Sequence, residues 1–141
     1  MVVHACHCTR CQKRTGSPLA VNLWIEDSRV KLLAGEPTKQ GESTDERGNR
    51  SSSWGCPSCG YALWTVYHAA PPGSLFVRAG SLDDPSAFQP DVHIFTRSKL
   101  PWISVPEDVP SFETYYDFKE IWPPESQQRF RKLKAKGDDA T

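Results

Sequence analysis

The chain has 141 residues, 17 Lys plus Arg against 17 Asp plus Glu, and 38% hydrophobic residues. That length supports one domain with one core and is too short for two ordinary ones. Balanced charge argues against a dedicated nucleic-acid binder, no apolar run approaches the ~20 residues that span a bilayer, and twelve prolines favour a mainly β or irregular architecture over a helix bundle.

In chain order, residues 1–8 (MVVHACHC) read as a strand. Residues 9–15 (TRCQKRT) read as a short helix with Thr9 as its N-cap, stopped by Gly16 and Pro18. LAVNLWI (19–25) and VKLLAG (30–35) are expected as buried strands. The polar stretch 36–53 is either a loop or two weak strands, and WGCPSCGYALWTVY (54–67) is a turn between two extended pieces. SLFVRAGSL (74–82) is expected as a strand, DDPS as a turn and VHIFTR (92–97) as another strand. The proline-interrupted stretch 99–118 wraps over the body. PPESQQRFRKLKAK (123–136) is a terminal helix with proline at its start and basic residues at its end, its basic run a solvated face, and the closing GDDAT frays.

MVVHACHC lacks the charged and apolar regions of a secretory signal. Five cysteines in CxC and CxxC spacings then point to metal ligation in a reducing compartment, hence the cytoplasm. Along a strand, alternate residues share a face, so His4, Cys6 and Cys8 align and His7 faces away. The turn after Cys8 returns Cys11 beside it, giving three convergent thiolates, with Cys11 in a first helical turn that favours its anion. Cys56 and Cys59, in CPSCG, have zinc-knuckle spacing. Two arrangements are open. Cys8, Cys11, Cys56 and Cys59 could close one structural four-thiolate zinc site, although 44 residues between the pairs is long. Alternatively, Cys6, Cys8 and Cys11 hold a zinc whose fourth position stays open, as in catalytic sites. Spacing alone leans to the first.

CHCTRCQKRTGS (6–17), GEPT (35–38), WGCPSCGYALW (54–64), AGSLDDPSAFQPDVHIF (79–95), KLPW (99–102) and DFKEIWPPES (117–126) together carry a resemblance. Over residues 4–125 the chain resembles the glutathione-dependent formaldehyde-activating enzymes, whose domain is shared with centromere protein V. The resemblance implies a mainly β, tent-like zinc-binding fold of small sheets over residues 1–122, with 123–141 as terminal helix and tail. It implies a catalytic zinc on Cys6, Cys8 and Cys11, which tips the choice toward the open three-thiolate site. It assigns Cys56 and Cys59 to a structural zinc, completed in the family by an earlier CxC. That CxC and its hairpin would precede Met1, so the chain is expected to be an N-terminally shortened member with an incomplete second site.

The implied activity is that of a carbon–sulfur lyase joining a thiol such as glutathione with formaldehyde; the alternative is a non-catalytic, zinc-stabilised interaction module. Expected partners are a small-molecule thiol and an aldehyde, with neither nucleic acid nor membrane. Because glutathione carries two carboxylates, Arg10, Lys13 and Arg14 beside the metal loop are the candidate binding cations. His4 is a secondary candidate ligand. His7 is expected as a hydrogen-bonding neighbour, and His93 as a satisfied strand histidine in preference to a proton-transfer group.

Overall fold

The structure, a computed structural model, describes residues 1–45 and 47–138. The tail expected to fray lies, beyond Asp138, outside the described residues. The strands are β1 (Val2–Cys6), β2 (Ala20–Glu26), β3 (Thr38–Thr44), β4 (Arg50–Gly55), β5 (Ala62–Tyr67), β6 (Ser74–Arg78) and β7 (Val92–Ile94). The helices are α1 (Thr9–Thr15), α2 (Phe118–Ile121) and α3 (Pro124–Asp138). The fold is mainly β. In place of several small sheets, seven strands join one sheet in the order β3-β4-β5-β6-β2-β1-β7. Among the described strands only β7 runs parallel to its neighbour, β1.

VKLLAG does not form the expected strand. Both edges of β2 are already taken, by β1 and β6, and Leu32 and Leu33 stand 50% and 88% exposed. The polar stretch after it resolves into β3 and β4, a hairpin of two polar strands. VHIFTR is a strand only to Ile94, and SLFVRAGSL only to Arg78, each running into a tight helical turn. The stretch after residue 99 covers the edge of β7: His93 N–H donates to Pro110 O at 2.8 Å and Phe112 N–H to His93 O at 3.0 Å. A sheet edge with unpaired backbone groups is thereby closed.

Strand register decides which side chains share a face. Pairs Cys6↔Ala20, His4↔Asn22 and Val2↔Trp24 align β1 with β2. Asn22↔Arg78 and Trp24↔Phe76 continue the same face onto β6, Thr65↔Phe76 onto β5, and Ser51↔Tyr67 and Ser53↔Thr65 onto β4. The helices pack on this face, and its composition is split. One part is aromatic: the Trp24 ring centroid lies 4.7 Å from Phe76, 5.0 Å from Trp122 and 5.5 Å from Phe130. The other part is polar yet buried: Asn22, Arg78, Thr65, Ser51 and Ser53. The opposite face carries a smaller apolar cluster of Val3, Leu23 and Ala79.

Local chemistry fixes α1 over the polar part. Cys8, with φ −65° and ψ 147°, is extended, and its sulfur accepts a hydrogen bond from Cys11 N–H at 3.3 Å. Cys8 therefore takes the N-cap place expected for Thr9, because a thiolate-capable sulfur reaches the first-turn amides as a serine oxygen would. Gly16, at φ 63°, ends the helix in the left-handed conformation, its N–H donating to Gln12 O at 2.9 Å. Gln12 Nε2 donates to His7 O at 2.8 Å and Ser98 O at 2.9 Å, tying the helix to both flanking segments.

Candidate metal centre and its surroundings

The end of β1, its N-cap turn and the first turn of α1 bring Cys6, Cys8 and Cys11 together. Their sulfurs lie within 4.8 Å of one another. Cys6 and Cys11 are buried and Cys8 is half-buried. Hydrogen bonds from Cys11 and Cys6 hold the Cys8 thiol far below its usual range, helped by Cys11 N–H and the Arg10 guanidinium. Cys6 is pushed up by its hydrogen bonds to Cys11 and Cys8 and by burial. Cys8 is the least buried of the three cysteines.

The cluster fits zinc. Soft thiolates are zinc's preferred donors, and ligands ~2.3 Å from a tetrahedral ion stand ~3.8 Å apart, inside the observed sulfur spacing. Three ligands on one short segment leave one coordination position for something other than these cysteines.

His4 stands outside the group of converging ligand atoms, and its Nε2 is engaged elsewhere. Trp122 Nε1–H can only donate, and it donates to Tyr116 Oη at 2.7 Å. Tyr116 Oη also shares a hydrogen bond with His4 Nε2, 2.6 Å away. Burial drives the His4 pKa down to about 3. His7, as expected, faces away from the sulfurs: its ring stacks on His93, with Nε2 and Nδ1 2.8 Å apart. His93 is thus a partnered strand histidine.

The three candidate cations separate. Lys13 is exposed and lines a shallow surface hollow with Gln12 and Trp102. Arg10 and Arg14 turn inward and are half-buried. Arg10 stacks on Tyr67, its guanidinium carbon 5.5 Å from the ring centroid. Arg14 donates to Ser43 Oγ at 2.6 Å and to Thr65 Oγ1 at 3.4 Å. Sequence reading overlooked a third arginine, Arg78, which is 7% exposed. It donates to Asn22 Oδ1 and, at 3.2 Å, to Thr65 Oγ1. The signal was present: Arg78 and Asn22 sit at the same strand parity as the core residues Phe76 and Trp24.

Cys56 and Cys59 do not join the cluster, so the four-thiolate site with Cys8 and Cys11 is not formed. The pair sits on the β4–β5 turn, where Gly60 N–H donates to Cys56 O at 3.0 Å and Cys56 N–H to Tyr61 O at 2.9 Å. Both lie at the far end of a hairpin several strands removed from β1, half-buried and exposed respectively. Backbone N–H groups of Cys59 and Ser58 lower the Cys56 thiol's pKa, as a thiolate knuckle requires. Among the described residues no third His, Cys, Asp or Glu completes a set with them.

Among the described residues no helix is long and apolar enough to cross a membrane. No curated protein matches the chain significantly. The sequence pattern of the glutathione-dependent formaldehyde-activating enzymes does match, over residues 1–98, a span that includes the whole cysteine cluster, the CPSC turn and all three inward-facing or overlooked arginines. The chain belongs to the glutathione-dependent formaldehyde-activating enzyme family.

Proposed function

We propose that the protein is a zinc-dependent carbon–sulfur lyase that joins a small thiol, such as glutathione, with formaldehyde, and that it does so in the cytoplasm. The observation that carries this reading is the three-cysteine cluster with its half-buried sulfur at the open side. Cys6, Cys8 and Cys11 hold the metal; bound there, zinc would favour the deprotonated form of an incoming thiol at neutral pH. The substrate sulfur forms a bond to the carbonyl carbon, and the thiol's proton ends on the carbonyl oxygen. Atoms and electrons balance without any oxidant, and the reverse step breaks the same carbon–sulfur bond. The chain needs no nucleophile of its own: its contribution is to hold the thiol where the aldehyde meets it, and proximity of this kind lowers barriers substantially. Family membership supports the choice of reaction. The experiment is adduct formation between glutathione and formaldehyde, followed with zinc-loaded protein against a protein-free control. Acceleration that depends on zinc and disappears in Cys8→Ala is expected. No acceleration by the zinc-loaded protein defeats the reading.

A further inference from the structure

Arg14 and Arg78 both donate to one acceptor, Thr65 Oγ1, at 3.4 and 3.2 Å. Two guanidinium groups are thereby held side by side. Arg14 also feels the charge of Arg10 as well as that of Arg78. Such a group of cations, half-buried or buried, normally comes with carboxylates. Here it does not. Among the described residues no carboxylate lies within 4.0 Å of Arg10, Arg14 or Arg78, the ion pairs being those of Glu26 and Glu42. Asp45 feels the charge of Arg10, but it is engaged by the N–H groups of Arg47 and Asn49. Every acceptor the arginines have is neutral: Asn22, Ser43, Thr65 and the Tyr67 ring.

The hydrogen bonding is also incomplete. Arg10 Nη1 and Arg78 Nε are buried donors without a partner, and the neighbouring Ser53 Oγ is a buried hydroxyl without one. A buried, unsatisfied charged donor is costly, and a ligand that satisfies it recovers that cost on binding. The cysteine cluster adjoins this group, since Arg10 acts on Cys8 and Arg78 on Cys11. It cannot absorb all the charge: three thiolates around a divalent ion leave one negative charge against three guanidiniums.

We propose that Arg10, Arg14 and Arg78 form a subsite for a carboxylate of the substrate, with Asn22 and Thr65 positioning Arg78. The planar fork of a guanidinium matches a carboxylate in shape as well as charge. Arg10 and Arg14 supply the outer, half-exposed face, and Arg78 supplies the inner charge. Calling the carboxylate's owner a thiol rests on the lyase reading above; the subsite itself does not.

The test therefore uses a ligand that cannot react. S-methylglutathione keeps both carboxylates of glutathione and blocks its sulfur. Calorimetric titration of the metal-loaded protein should show binding that weakens with added salt. The dimethyl ester of the same peptide should bind at least tenfold more weakly. Arg14→Gln and Arg78→Lys should each weaken the diacid roughly 10- to 100-fold, the range for hydrogen bonds to charged groups, and the exposed control Lys132→Gln should not. Near-UV circular dichroism checks that Arg78→Lys has folded, and Arg14→Gln carries the test if it has not. The proposal is overturned if the diacid does not bind, if the diester binds equally well, if both arginine variants bind like the parent, or if inorganic phosphate binds more tightly than the diacid. Because turnover plays no part, the lyase reading can fail while this binding holds, and the reverse.

Discussion

Arg129 of α3 grips Glu26 of β2 with two parallel hydrogen bonds, Nε to Oε1 at 2.8 Å and Nη2 to Oε2 at 2.6 Å. This fork, with Ser126 Oγ donating to Met1 O at 2.8 Å, fastens the last helix across the aromatic part of the sheet face that carries the cysteines. The Arg129 hydrogen bonds lower the Glu26 carboxyl to about 2, against burial, with Arg29 and the N-terminal ammonium also facing it. A carboxylate whose folded pKa is depressed contributes stability above its unfolded pKa and loses it as pH falls through the folded value. Stability should therefore fall from about pH 4.5 toward pH 2 by about 2–3 kcal/mol from this pair. Denaturant unfolding across that window should show the slope, and Glu26→Gln should flatten it. An unchanged slope in Glu26→Gln would remove Glu26 from the account. At pH 7, Arg129→Gln should cost a similar amount, since it leaves a largely buried carboxylate without its two-fold partner, facing only the more distant Arg29 at 3.7 Å and the N-terminal ammonium.

Tyr116 Oη joins two buried side chains, accepting from Trp122 Nε1–H and sharing a hydrogen bond with His4 Nε2. Tyr116→Phe leaves a buried indole N–H and a buried imidazole nitrogen without partners. The expected loss is about 2–4 kcal/mol, one desolvation penalty for each orphan. A thermal midpoint unchanged within error would show that neither group depends on the tyrosine. Zinc content should be unaffected, because His4 is not a ligand in this arrangement.

Zinc stoichiometry separates the two cysteine groups. Cys6→Ser, Cys8→Ser or Cys11→Ser should each abolish zinc retention by the three-cysteine site after dialysis. Cys59→Ser should leave that site filled, because Cys59 stands apart from it. Elemental analysis of each variant gives the answer. Zinc lost from the three-cysteine site in Cys59→Ser would mean that the CPSC turn does reach the front cluster in solution. Stripping the metal from the parent should also lower its thermal midpoint, since ligand binding to the folded state adds to apparent stability.

The sequence pattern marked out the span of α1, residues 9–15, and its stop at Gly16, which sits in the left-handed conformation, but it put the N-cap on Thr9 where the structure has Cys8. The convergence of Cys6, Cys8 and Cys11 was legible because all three lie within one short segment, but spacing alone leaned to a four-thiolate site with Cys56 and Cys59, and the family resemblance tipped the choice. VKLLAG forms no strand for a tertiary reason: its apolar residues suit a strand, but both edges of β2, the strand it follows, are taken by β1 and β6. Arg78 lies 68 residues after Arg10 and 64 after Arg14, too far for spacing to link them; the pairing of β2, β5 and β6 brings Asn22, Thr65 and Arg78 together. The incompatibility of Cys56 and Cys59 with the front cluster is likewise a matter of strand order, which spacing does not encode.

Gly16 ends α1 at φ 63°, and a Cβ built there meets nothing within 4 Å. Space is therefore not the constraint; backbone conformation is. An L-residue with a Cβ pays about 1–2 kcal/mol in the left-handed region, and asparagine tolerates it better than alanine. Gly16→Ala should destabilise the protein by about 1 kcal/mol, with Gly16→Asn less affected. The same helix carries Arg10, Cys11, Gln12 and Arg14, so fraying its last turn loosens Arg14 before it loosens Cys11. Gly16→Ala should accordingly weaken S-methylglutathione binding while retaining zinc. Equal stability of the alanine and glycine forms would show that the turn relaxes to negative φ without cost. Loss of zinc together with ligand affinity would show that α1 responds as one rigid piece from Cys11 to Thr15.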